Sequence, residues 1–204
     1  MIRIFLVRHA VTQWNEDKRY LGVTDLSLSK KGKQQAESVA NSLKDEYIDE
    51  IYSSNLKRTV ETANYIRKDR ETQFILDNRL RELNLGVFEG LTFAEAQEQH
   101  PELMAAWLDD YDLPPTGGEM FSSLTARIRS FLDEIMMRET PNTILVVTHG
   151  GPLREIFRLL LELPAEKHWA LQFDPASWSE IHMIEGSLTI IGTNHTHHLR
   201  GVSP

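Results

Sequence analysis

The chain has 204 residues, of which 41% are hydrophobic and 25% charged, with a formal net charge of -8 and no cysteine. That apolar content suits one globular domain with a sizeable core, and the missing cysteines exclude a disulfide framework, a thiolate metal site and a cysteine nucleophile. The negative balance argues against a nonspecific grip on nucleic acid, and no apolar run is long enough to span a bilayer or to form a signal h-region, so a cytoplasmic protein without a membrane partner is expected.

Ile2 to Val7 reads as a buried strand, an apolar run rich in β-branched residues with one charge. Residues 30–46 carry Ala36, Val39, Ala40 and Leu43 on one helical face. Ile48–Tyr52 reads as a second strand, Leu56–Lys68 as a helix and Phe74–Leu76 as a short strand. Thr92 to Glu95 has the capping-box pattern of a helix start, and Pro101 opens another helix through Leu108. Residues 119–139 are the longest helical pattern, with Phe121, Leu124, Ile128, Phe131, Leu132 and Ile135 on one side. Thr143–Thr148 is the clearest strand, Pro152 is expected to be the first residue of a helix ending at Leu161, and strands at 179–184 and 187–193 finish the chain.

Strands alternating with helices predict an α/β three-layer sandwich, its mostly parallel central sheet covered by helices on both faces. One domain over 1–204 is expected, with a small helical cap inserted at about 83–120. Ligands of such sheets bind beyond the carboxyl ends of the strands. Arg8 and His9 follow the first strand there, and His149-Gly150-Gly151 follows the strongest later one. Arg58 comes just after a third strand and Ser53-Ser54.

Two arginines and two histidines at one sheet edge suit a tetrahedral dianion. Arginine binds phosphate oxygens bidentately and keeps its charge. Gly150 and Gly151 let backbone N–H groups at a helix N-terminus approach an anion. Imidazole is a nucleophile near neutral pH, because one nitrogen can be free of a proton. A leaving alkoxide also needs a proton, and Glu82 is a candidate donor. The bland alternative for Glu82 is an ion pair with Arg79 or Arg81, and these residues alone do not decide between the two.

Leu6 to Asn15, with Arg8-His9 at its centre, resembles the Arg-His-Gly signature of the histidine phosphatase, or phosphoglycerate mutase-like, superfamily. The resemblance continues through Gly22-Val23-Thr24-Asp25, Leu28 to Ala36, Tyr52 to Thr59, Arg81-Glu82-Leu83, Phe88-Glu89-Gly90, Gly117-Gly118-Glu119 and Val147 to Gly151, in family order over roughly residues 3–155. It implies that His9 is phosphorylated and that Arg8, Arg58 and His149 complete the phosphate pocket. It further implies that Asn15 and the Gly150 backbone contact the phosphate, that Glu82 donates the proton, and that no cofactor or metal takes part. Ala10, where the family has glycine, and Asn55, where it more often has proline or aspartate, depart from the pattern without removing a catalytic group. The resemblance is to the short bacterial phosphatases, including α-ribazole phosphatase-like, phosphoserine phosphatase-like and broad-specificity members. The expected partner is a small phosphorylated metabolite, and a homodimer is compatible with the chain.

A mutase must hold a second anionic group. From Leu83 to Met120 there is no Lys or Arg, but there are Glu89, Glu95, Glu98, Glu102, Asp109, Asp110, Asp112 and Glu119. Phe88, Phe93, Trp107 and Tyr111 add apolar and stacking surface. Such a cap predicts hydrolysis of a monoester whose remainder is neutral, aromatic or cationic. A cofactor-dependent phosphoglycerate mutase, with Lys18, Arg19 or Arg200 supplying the charge, and an inactive phosphate-binding scaffold are the alternatives. Ser177, after Asp174-Pro175-Ala176, is expected to close the pocket. His195, His197 and His198 read as an exposed tail, and His100, His168 and His182 as surface or satisfied polar residues.

Overall fold

The computed structural model describes residues 1–68, 70–138, 142–184 and 187–202. Among the described residues there are six strands: β1 (Ile2–Arg8), β2 (Glu50–Ser53), β3 (Gln73–Leu76), β4 (Asn142–Thr148), β5 (Trp178–Ile184) and β6 (Ser187–His195). Seven α-helices accompany them among the described residues: α1 (Gln13–Glu16), α2 (Lys30–Ser42), α3 (Lys57–Arg67), α4 (Phe93–Gln99), α5 (Pro101–Asp109), α6 (Phe121–Met136) and α7 (Gly150–Leu160).

The strands form one sheet in the order β3-β2-β4-β1-β5-β6. β1, β2, β3 and β4 are mutually parallel, whereas β5 runs antiparallel to both β1 and β6. The α/β three-layer architecture is therefore as expected. Side chains alternate along β1 and sort into two cores. Ile2, Ile4 and Leu6 join Leu124, Ile128 and Phe131 of α6 and Ile156 and Phe157 of α7. Phe5 and Val7 join Val39 of α2 and Ala63 and Ile66 of α3. Each such side chain withdrawn from water contributes about 1.5–3 kcal/mol. Burial on both faces is why β1 and β4 read as continuous apolar runs rather than alternating ones.

Several boundaries differ from the expectation. α2 stops at Ser42 rather than at residue 46, because Arg70, distant in sequence, donates to the carbonyls of Leu43 (2.6 Å), Lys44 (3.2 Å) and Glu46 and turns the chain there. α7 begins at Gly150, two residues before Pro152; a proline in the first turn is tolerated because that turn's N–H groups have no intrahelical acceptor. α6 starts at Phe121 and ends at Met136, and Glu139 lies outside the described residues. Segment 83–120 holds α4, with the expected Thr92–Glu95 capping box, and α5. These pack on a small cluster of Leu85, Phe88, Ala96, Met104 and Trp107, joined by Tyr20. Among the described residues no helix is long and apolar enough to cross a membrane.

Candidate active site

Strand register brings the two key histidines together. β1 and β4 pair in parallel with Arg8 opposite Thr148, so His9 and His149 leave the sheet at the same level. The His9 N–H donates to the Thr148 carbonyl (2.9 Å), and the two rings lie 5.0 Å apart, centroid to centroid, nearly edge to face. β2 pairs with β4 on its other side, and the Ser54 N–H donates to Val147 (3.1 Å). This sets the Ser54 hydroxyl 2.9 Å from His149 Nε2. Arg58, fully buried in the first turn of α3, donates from Nε to His149 Nδ1 (3.2 Å) and from its two terminal nitrogens to the carbonyls of Thr24 (2.8 Å) and Gly22 (2.6 Å). With Nδ1 accepting, the His149 proton sits on Nε2 and points at Ser54.

His9 is 3% exposed, and its Nδ1 lies 2.7 Å from its neighbour's carbonyl, Ala10 O. A carbonyl only accepts, so Nδ1 carries the proton and Nε2 keeps its lone pair. Burial, then the charges of Arg58 and Arg8, hold His9 well below the ordinary imidazole value of 6.5. His149 is displaced the same way, by burial first and then by Arg58, His9 and Arg8. Both rings are neutral near pH 7. Burial lowers Arg8 and Arg58 to about 10, which leaves both cationic. Arg8 NH1 donates to Phe173 O (2.6 Å), while its buried Nε has no partner. An orphan buried guanidinium N–H beside a neutral imidazole suits an anion.

Glu82 is aimed at this cradle. It pairs with neither Arg79, which binds Asp77 and Glu134, nor Arg81, which reaches Asn55. Its carboxylate accepts from Leu83 N (2.9 Å) and from Gly151 N (3.2 Å), the latter in the first turn of α7. Arg127 of α6 fixes the segment by donating to the carbonyls of Arg79 (2.6 Å), Arg81 (2.6 Å) and Glu82 (3.2 Å). Asn15 accepts from Thr12 N (3.0 Å) through Oδ1, completing the capping box of α1. Gly150 sits against the Arg8 guanidinium, whose Cζ would lie 3.5 Å from any added Cβ. Ser177 is buried, its carbonyl accepts from Arg8 N (3.1 Å), and its hydroxyl has no partner.

A cavity of about 250 Å³ is lined by Arg8, Asn15, Glu82 and Gly151, and also by Arg154, Trp169 and His168. Three of the residues that shape this site, Arg127, Arg154 and His168, lie outside the set that the sequence motifs point to. Arg154 does have a signal: it lies four residues past Gly150, on the same helical face. The acidity of segment 83–120 does not reach the cavity. Glu95 pairs with Arg19, Glu119 with Arg127, and Glu89 caps the amides of Val23 and Thr24. Asp109, Asp110 and Asp112 line a neighbouring hollow. Phe88 is fully buried core and Phe93 is half exposed outside the cavity, so neither offers a stacking surface. Positive charge enters from Arg154, outside that segment, so the expected link between an acidic cap and a non-anionic substrate does not hold.

His182 is satisfied by Glu180 (2.7 Å), as expected of a polar surface residue. The tail histidines are not simply exposed, because His195 stacks on Trp178 (4.3 Å) and His198 binds Ala176 O (2.9 Å).

The family model for the histidine phosphatase superfamily (branch 1) matches residues 4–196. The chain is 38% identical over 200 residues to phosphoserine phosphatase 1 of Hydrogenobacter thermophilus, covering 98% of this chain and 95% of that protein. It is also 38% identical over 159 residues to phosphoglycerate mutase-like protein 4 of Arabidopsis thaliana, covering 76% and 69%. The α-ribazole phosphatase structure from Shigella flexneri superposes with a TM-score of 0.89 at 29% identity, covering 95% of this chain and 96% of that one.

Proposed function

The chain belongs to the histidine phosphatase superfamily, and from that premise we propose that it hydrolyses phosphomonoesters of small metabolites through a phosphohistidine on His9. The observation that carries the reading is the His9 ring: buried, neutral, with Nδ1 tied to Ala10 O, and set beside Arg8 and Arg58. Its free Nε2 attacks phosphorus while the ester P–O bond breaks, and Glu82 gives a proton to the leaving alkoxide. Water then attacks the phosphohistidine, Glu82 takes a proton from it, the P–N bond breaks, and inorganic phosphate leaves. Arg8 and Arg58 stabilise the charge that spreads over the equatorial oxygens. Asn15 and the Gly150 amide are further donors to those oxygens. His149, engaged at both nitrogens, holds Arg58 and Ser54 against the site. Segment 83–120 covers the cavity within a single unit.

The measurement is hydrolysis of p-nitrophenyl phosphate in EDTA, with alkaline detergent quenching to trap an acid-labile, base-stable phosphoprotein. Turnover without any trapped phosphohistidine overturns the covalent route, and loss of turnover in EDTA that added metal restores overturns the metal-free one. Arg154 in the same cavity gives a phosphoglycerate mutase a second cation, so conversion of 3-phosphoglycerate to its 2-isomer is assayed alongside, with and without 2,3-bisphosphoglycerate. Phosphate release faster than isomerisation is the expected result.

A further inference from the structure

We infer that the cavity carries a second anion subsite, built from Arg154 and His168, that takes a carboxylate on the alcohol portion of the substrate. The inference rests on the phosphatase reading above and goes beyond it by naming the substrate class.

Arg154 projects from the second turn of α7 into the cavity that holds Arg8 and Glu82. Its Nε donates to Leu171 O (3.0 Å), and the guanidinium carbon lies 4.8 Å from the centre of the Trp169 ring. Those two contacts fix the plane of the group, and among the described residues its terminal nitrogens have no hydrogen-bond partner. Among the described residues no carboxylate lies within ion-pair distance of it. Burial lowers its pKa, as expected of a cation short of solvent. A desolvated cation without a counter-charge is costly unless a ligand supplies one.

His168 supplies the second polar group. Its side chain is only 5% exposed, yet it lines the same cavity. Nδ1 faces Glu155 Oε2 at 3.3 Å, and no described residue partners Nε2. Glu155 is itself fully buried and bound by Arg158 (2.5 and 2.9 Å). It remains an ionised acceptor, so it takes the proton on Nδ1 and leaves Nε2 as the ring nitrogen open to a ligand. Phe121 and Trp169 pack perpendicular to the ring at 4.4 and 5.0 Å and fix its orientation.

The group that fits is planar and singly charged. A guanidinium edge binds a carboxylate bidentately, and the His168 ring, held by Glu155, stands beside it. Leu21, Leu83 and Trp107 complete an apolar wall that strengthens such contacts. The cavity volume of about 250 Å³ has room for a phosphate on a short carbon chain. Glu82 is the one carboxylate lining the cavity among the described residues, and it stands at the phosphate end, against Gly151.

The test compares twins that differ in the carboxylate: 3-phosphoglycerate against glycerol 3-phosphate, and O-phosphoserine against O-phosphoethanolamine. The readout is the ratio of kcat/KM within each pair, so any general loss of catalysis in a variant cancels. The wild type is expected to favour the carboxylated twin at least tenfold, the scale of one charge-assisted hydrogen bond. In Arg154→Gln and in His168→Phe the ratio is expected to fall below about threefold, with Arg154→Lys in between. A wild type that turns over p-nitrophenyl phosphate but ignores the carboxylate overturns the subsite. So does a preference that survives both substitutions, and so does a stronger preference for 2,3-bisphosphoglycerate than for the monophosphate, which assigns the cations to a second phosphate. Should the Gln and Phe variants fail to fold, the wild-type ratios together with Arg154→Lys decide the matter. A wild type inactive on every monoester overturns the phosphatase reading instead.

Discussion

The carboxylate of Glu82 rests against the backbone of Gly151, accepting its N–H at 3.2 Å across 69 positions of sequence. Any Cβ at Gly151 would overlap Glu82 Oε1. The glycine thus makes room for the carboxylate, and the positive end of α7 faces it.

Gly151→Ala is therefore expected to act on the proton donor from outside it. The methyl displaces the flexible end of Glu82 rather than backbone, so folding stability changes little. Both Gly151→Ala and Glu82→Gln are expected to lower kcat by about two to four orders of magnitude on alkyl phosphates. The loss should be much smaller on p-nitrophenyl phosphate, whose leaving group departs without a proton. A Brønsted plot against leaving-group pKa checks this; equal losses on both substrate types would remove Glu82 from the donor role.

His9→Ala is expected to lose at least about four orders of magnitude in turnover and all trappable phosphohistidine. Far-ultraviolet circular dichroism should be unchanged. Activity within tenfold of wild type would end the covalent mechanism.

Arg58 has a structural and a chemical task, because it satisfies the carbonyls of Gly22 and Thr24 while orienting His149. Arg58→Met strands those buried acceptors, and a destabilisation of about 2–4 kcal/mol is expected in urea titration. The same variant should lose at least about a hundredfold in kcat/KM. Arg58→Lys keeps the charge but not the fork, and should recover part of the activity and little of the stability.

Acid should loosen the fold near pH 6. The folded-state pKa values of His9 and His149 lie below the 6.5 of the unfolded chain, and His198 is lowered too. Below pH 6.5 the unfolded chain takes up protons that the folded rings refuse. Stability is therefore full above 6.5 and declines as pH falls toward the folded values, by up to about 1.4 kcal/mol per unit for each histidine. Glu155, lowered to about 2 from 4.5, adds a separate loss only below pH 4.5. Thermal melts at pH 7.5, 6.5 and 5.5 check the first window, and His9→Asn should flatten it. A melting temperature flat across that range would contradict the burial of both rings as neutral groups.

Sequence by itself determined the layers and the catalytic neighbourhood. β1 and β4 are apolar on both faces because helices cover both, and that burial leaves continuous hydrophobic runs that no other arrangement explains as simply. The rule that ligands gather at the carboxyl edge then places Arg8, His9 and His149 together from the sequence alone. Tertiary structure alone decided the rest. Strand register set His9 level with His149 and turned the proton of each ring toward a particular acceptor. Arg70, Arg127 and Arg154 act on backbone and cavity from distant segments, and no local spacing announces a guanidinium that caps a helix or steadies a loop far along the chain. Charge was the least legible feature of all: counting carboxylates over 83–120 predicted an acidic lid, yet they turn into caps, ion pairs and a neighbouring hollow. Composition records which charges a segment owns, whereas only packing decides which of them face the substrate.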